Sequence, residues 1–129
     1  MVKTKEELGL AGLPGLLEVL PTGSRHVVSP PVTTTDADYV LLVDDVFSAD
    51  AWLEANGFVR PTVDYKQNYD HDEEELMFTY RKGELNLIVV ESSSFFNKWR
   101  IATYLAQKFN LAKKEDRVAL FKYILYGEI

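Results

Sequence analysis

Thr35-Asp36-Ala37-Asp38-Tyr39-Val40-Leu41-Leu42-Val43 decides how the chain is read. Tyr39 to Val43 is an uninterrupted apolar run of strand length, which predicts a strand buried on both faces. Asp44 and Asp45 end it. Ahead of it, Asp36 and Asp38 sit at positions i and i+2. On extended backbone, side chains at that spacing point to the same side. Two neighbouring carboxylates repel and resist joint ionisation unless a cation lies between them. A hard divalent ion such as Mg²⁺ takes oxygen ligands and is typically held by one or two carboxylates plus substrate phosphates. The spacing predicts a metal–nucleotide site at the mouth of a buried strand.

Upstream, Gly23-Ser24-Arg25 supplies complementary chemistry. Glycine lets backbone approach a phosphate closely. A short helix starting at Ser24 would offer free N–H groups and a hydroxyl to phosphate oxygens, and Arg25 would add positive charge. Between this turn and the acids, Ser29 to Thr35 reads as an extended loop, because Pro30-Pro31 cannot continue a helix. Further back, Lys5 to Leu20 reads as helical, broken near Pro14-Gly15.

Downstream, Ala49 to Asn56 reads as a helix with Ser48 as its N-cap and Gly57 as its stop. Phe58 to Val63 reads as a strand that Pro61 confines to an edge or a bulge. Asp64 to Glu75 is a polar, acidic loop. Leu76 to Tyr80 and Leu85 to Val90 form a hairpin around Lys82-Gly83. Two helices follow, Phe95 to Phe109 with Ser94 as cap and Lys114 to Tyr126. Phe96, Trp99, Ile101, Tyr104, Leu105 and Phe109 of the first are dense enough to pack on a sheet, as are Val118, Leu120, Phe121, Ile124 and Leu125 of the second. The order of elements is helix, strand, helix, mixed strands, two helices. The expected class is α/β or α+β, a small mixed sheet covered by helices.

Gly23-Ser24, followed in order by Asp36-x-Asp38 at a strand, resembles the signature of the DNA polymerase beta-like nucleotidyltransferase superfamily. With Pro30-Pro31 between them, the pattern is similar to a longer-loop variant in small stand-alone, phage-type members. The resemblance spans about Leu16 to Phe109. It implies a polymerase beta-like nucleotidyltransferase fold, Mg²⁺ or Mn²⁺ as cofactor and a nucleoside triphosphate as substrate. The implied reaction is two-metal transfer of a nucleoside monophosphate group to an acceptor hydroxyl. Family members add a third carboxylate from a later strand. In Gly83-Glu84-Leu85-Asn86-Leu87-Ile88 the matching residue is Glu84 or Asn86; Glu84 is preferred because it is ionisable and precedes the apolar run. The implied set is Asp36, Asp38 and Glu84 for metal and catalysis, with Gly23, Ser24, Arg25 and Lys98 for nucleotide phosphates. Lys66 and Arg100 are further cationic candidates. If no third acid serves, the same fold implies a catalytically inactive binding or regulatory protein of toxin–antitoxin or phage–host type.

Composition narrows the partners. The 129 residues suit one minimal domain. A net charge of −6 disfavours a long nucleic acid, whose binding rests on phosphate contacts. The acceptor could be a small molecule, an RNA end or a protein hydroxyl. Its site leaves room for a partner chain or a dimer. Without cysteine there is no disulfide, thiolate zinc site or thiol nucleophile. No apolar run reaches membrane-spanning length and the start lacks a signal peptide's apolar core, so a cytoplasmic protein is expected, with no membrane partner. His26 and His71 show no metal spacing. Asp70 to Glu75 lacks the pattern of a calcium loop and reads as a solvated charge run. Tyr65, Tyr69 and Tyr80 are the freer aromatics for base stacking.

Overall fold

The computed structural model describes residues 7–29, 37–60 and 77–127. The expected loop at Asp64 to Glu75 lies outside them, as do Asp36 and all but the first residue of the Ser29 to Thr35 loop. The elements are β1 (Leu16–Thr22), α1 (Ser24–Val27), β2 (Ala37–Val43), α2 (Val46–Ala55), β3 (Met77–Lys82), β4 (Leu85–Val90), α3 (Ser93–Lys108) and α4 (Lys114–Tyr126). The four strands form one mixed sheet in the order β1-β2-β4-β3. The two central strands, β2 and β4, run parallel; β1 and β3 lie antiparallel to them on the outside. This is the expected small mixed sheet with helices.

The central strands are apolar without alternation because both faces are covered. Tyr39, Leu41, Val43, Leu87 and Val89 pack under Val46, Ala49 and Leu53 of α2. Val40, Leu42, Ile88 and Val90 face the other way, into Phe95, Phe96, Trp99, Ala102 and Ala106 of α3 and Phe121 and Leu125 of α4. The Trp99 ring is fully buried and lies against Phe95 and Phe121.

Several expectations are corrected. Leu16 to Leu20 is strand, not helix. Gly9 and Gly15 adopt φ of 76° and 70°, left-handed values that a helix cannot contain, and pairing with β2 then overrides local helical preference. The first element is therefore a strand. The β2–α2 junction is tighter than expected: α2 begins at Val46, and Asp45, not Ser48, is its cap. The Asp45 carboxylate accepts from the Phe47 amide at 3.0 Å and from Ser48 Oγ at 2.9 Å. Ser92, not Ser94, caps α3. Ile101, Tyr104 and Phe109 are exposed, and the small residues Ala102 and Ala106 take the sheet-facing positions instead. Of the expected Phe58 to Val63 strand, the described residues show a bridge between Val59 and Arg81, and Pro61 to Val63 lie outside them. The hairpin and the limits of α4 are as expected.

Candidate functional site

Strand register places the site. Directly opposed residues of neighbouring strands project from the same face. On the face covered by α3, one row across the sheet is Glu18, Leu42, Val90, Met77, and the next is Leu20, Val40, Ile88, Thr79. The last row is Thr22, Asp38, Asn86, Arg81. The rows thus change from largely apolar to wholly polar at the end where β2 and β4 begin. α3 starts at the opposite end and returns toward this row, where Thr103 Oγ1 meets Thr22 Oγ1 at 2.9 Å. Both threonines are buried.

The Gly23 bend closes directly onto Asp38. Gly23 has φ 78°, and a Cβ there would lie 2.1 Å from Asp38 Oδ2. Only glycine fits both the torsion and the space. The bend leads into α1, one turn held by Gly23 O accepting from the amides of His26 and Val27, each at 3.0 Å. A single turn carries little macrodipole, so the expected helix-terminus contribution is small and the positive charge at this bend is that of Arg25. The Arg25 guanidinium stands 3.5 Å from the Glu84 carboxylate, an exposed partner. His26 Nδ1 lies 2.8 Å from Thr22 O and so carries its proton there. Its ring meets Tyr39 edge-on.

The two third-carboxylate alternatives occupy different places. Glu84 lies in the β3–β4 turn, its backbone oxygen accepting from the Ala37 amide at 2.8 Å, and its side chain is 81% exposed beside Arg25. Asn86 is the residue directly opposite Asp38. Its Nδ2 donates to Asp38 Oδ1 at 3.0 Å. Its Oδ1 is buried and accepts no hydrogen bond among the described residues. A buried acceptor without a donor costs about 1–3 kcal/mol. Set beside a carboxylate, it suits a hard cation, which takes amide and carboxylate oxygens alike. Asp38 and Asn86 therefore fit an oxygen-ligated divalent ion in part. Among the described residues there is no group of three or more His, Cys, Asp or Glu that could hold a metal, and Asp36 is not among those residues.

The structure thus brings Gly23, Arg25, Asp38, Glu84 and Asn86 to one end of the sheet, with Ser24 opening α1 beside them. Lys98 stands apart, exposed on the half of α3 away from Thr103. Arg100, on that same half, pairs with Glu18. Lys66, Tyr65, Tyr69 and His71 lie outside the described residues. Tyr80 is corrected: it is no stacking platform but fully buried on the α2 side, donating to Asp50. Burial, then the Asp50 hydrogen bond, pushes its phenol pKa far above the usual value. The sequence does not single out Arg81; register with β4 puts it on the face of Asn86.

No protein-family model matches the chain, and no curated protein does. Among solved structures, the chain is similar to the conserved protein GrpB from Enterococcus faecalis, with 17% identity and a TM-score of 0.52. The match covers 96% of this chain and 92% of that one. At that identity the likeness speaks for the fold alone: a small mixed α/β fold shared over nearly its whole length with GrpB.

Proposed function

We propose that this chain is a polymerase beta-like nucleotidyltransferase domain that binds a nucleoside triphosphate with Mg²⁺ or Mn²⁺ and passes its nucleoside monophosphate group to an acceptor hydroxyl. The observation supporting this is the buried Asn86 Oδ1 left without a hydrogen bond among the described residues beside Asp38, at the point where the glycine-serine bend closes on that acid. Asp38, with Asp36 two residues before it, and Asn86 Oδ1 would hold the cation. When bound, the cation neutralises phosphate oxygens and lowers the pKa of a nearby hydroxyl. Gly23 and Ser24 admit the phosphate tail to close backbone contact. Arg25 exchanges its exposed Glu84 partner for a phosphate oxygen, a bond of the stronger, charge-assisted kind. Asn86 Nδ2 fixes the Asp38 carboxylate in orientation, so little reorganisation is needed as charge develops. Lys98 would need a ligand extending along α3 to take part. The acceptor, whether small molecule, RNA end or protein hydroxyl, meets an acidic domain of net charge −6. Among the described residues no helix is long and apolar enough to cross a membrane.

Two observations favour a second reading, a non-catalytic nucleotide-binding or regulatory protein. The residue opposite Asp38 is a neutral amide, and Glu84 is tied to Arg25. Incubation with each labelled triphosphate and Mg²⁺ or Mn²⁺ in cell extract separates the readings. The proposal expects label transfer that disappears in Asp36→Asn/Asp38→Asn; transfer surviving that change would reject the site. Metal-dependent thermal stabilisation by a triphosphate without transfer would favour the binding protein. Neither response would leave a plain structural domain.

A further inference from the structure

Transfer to a hydroxyl releases a proton, and the polar row around Asp38 has no group to take it. Asn86 is an amide, and Arg81 is already a cation. The Thr22 hydroxyl is buried against Thr103. Asp38 accepts from Asn86 Nδ2 and would be committed to the cation. Glu84 stands outside the row in the β3–β4 turn, exposed and paired with Arg25. A bound cation makes the hydroxyl more acidic, but the proton still needs an acceptor within hydrogen-bond reach.

His26 has the form of such an acceptor. Its ring is held on two residues that border Asp38. Nδ1 donates to Thr22 O at 2.8 Å, and Thr22 lies directly opposite Asp38 in register. The ring also meets Tyr39, the next residue along β2, edge-on with centroids 4.9 Å apart. The backbone is fixed as well. The His26 amide donates to Gly23 O at 3.0 Å, and its carbonyl accepts from Gln107 Nε2 of α3 at 3.2 Å. A carbonyl oxygen can only accept, so the proton sits on Nδ1 and the neutral ring carries its lone pair on Nε2. Nε2 has no hydrogen-bond partner among the described residues, yet it is not sealed off as Asn86 Oδ1 is. The half-buried ring is thus locked in one tautomer, with its basic nitrogen open.

We infer that His26 is the general base of the transfer, a catalytic residue that receives the acceptor's proton on Nε2. This rests on the nucleotidyltransferase reading of the Asp38 site. The acceptor oxygen forms a bond to the α-phosphorus, and the bond from that phosphorus to the oxygen bridging to the β-phosphate breaks. Pyrophosphate leaves with the electron pair, the hydroxyl proton passes to Nε2, and the imidazolium later returns it to water. Nδ1 keeps its proton throughout, and its bond to Thr22 O steadies the charged ring.

The test measures transfer and binding separately in the intact chain, His26→Gln and His26→Ala. Each is given labelled triphosphate and Mn²⁺, with cell extract as the source of acceptor. At saturating triphosphate, transfer should slow by at least ~100-fold in His26→Gln while triphosphate affinity is unchanged. Imidazole added to His26→Ala should restore part of the rate. Transfer that persists in His26→Gln overturns the inference and leaves the nucleotide reading standing. So does a loss matched by an equal loss of triphosphate affinity, which would make His26 a phosphate contact. Should the variants fail to fold, the ring-nitrogen resonances of His26 in unaltered protein decide. Neutral His26 must show a protonated Nδ1 and a bare Nε2, and the opposite tautomer overturns the inference. If unaltered protein binds no triphosphate and transfers no label, both readings fall.

Discussion

The two ends of β2 are built alike and do different things. β1 runs antiparallel to β2 and carries a glycine at each end, both at positive φ. A Cβ on Gly23 would lie 2.1 Å from Asp38, and one on Gly15 would lie 1.8 Å from Asp44. A glycine pressed on a carboxylate is therefore no site by itself. At the Asp44 end, Gly15 O accepts from the Asp44 amide at 3.0 Å, and the next residue, Asp45, caps α2. Those interactions serve the chain's own backbone. At the Asp38 end, the glycine leads into Ser24-Arg25, and the carboxylate faces an amide with an unmet buried oxygen. Chemistry left unfinished by the protein, rather than the acid or the glycine, separates a candidate site from a strand end.

Alanine at the two glycines tests that difference most strongly. Each of Gly15→Ala and Gly23→Ala forces a left-handed torsion on a side chain, costing about 1–3 kcal/mol, and each must push a carboxylate aside. Denaturant unfolding should show comparable losses for both. Thermal stabilisation by triphosphate and Mn²⁺ should survive in Gly15→Ala and be lost in Gly23→Ala, whose displaced carboxylate is the proposed ligand. Equal retention of ligand response in both variants would erase the distinction between the two ends.

Much of this was legible in the sequence. The Tyr39 to Val43 strand, the hairpin and the last helix have strong local patterns that tertiary packing reinforces. The Gly23–Arg25 turn and Asp38 were legible as a candidate constellation, and the fold brings Gly23 and Asp38 together. Leu16 to Leu20 was misread because a short apolar run fits a helix face or a strand, and only pairing with β2 decides. Ser48 was read as the cap and Asp45 only as a strand end; the β2–α2 turn is tight enough that Asp45, three residues earlier, takes the role. The choice between Glu84 and Asn86 rested on ionisability; register, which the sequence does not show, puts Asn86 opposite Asp38 and Glu84 in the turn. Arg81 was invisible because nothing in one strand's sequence says which residue of another it will oppose.

Glu84→Gln acts on the Asp38 end with a smaller effect. The Arg25–Glu84 pair is exposed on the acid's side, and such pairs contribute ~0–1 kcal/mol, so denaturation should move little. If Glu84 only occupies Arg25, the variant binds triphosphate slightly more tightly and keeps any transfer activity. If Glu84 acts as the third carboxylate, label transfer collapses while binding holds. The pair of measurements decides between turn residue and catalytic acid.

The smallest expected effect belongs to the other end. Asp45 has its pKa lowered by the Ser48 hydroxyl first and the Phe47 amide second. A folded-state pKa below the unfolded one adds stability above the unfolded value and loses it as pH falls through the folded one. The contribution is thus complete at neutral pH and fades in the acid range below the ordinary aspartate value. Asp45→Asn keeps a side-chain oxygen for the Phe47 amide but has no charge to lose, so its acid unfolding limb should be shallower by this one group. Ligand response should be untouched, because nothing at that end of β2 is left for a ligand to complete. A change in triphosphate binding on Asp45→Asn would mean that the two ends communicate through β2, and that the division drawn between them is false.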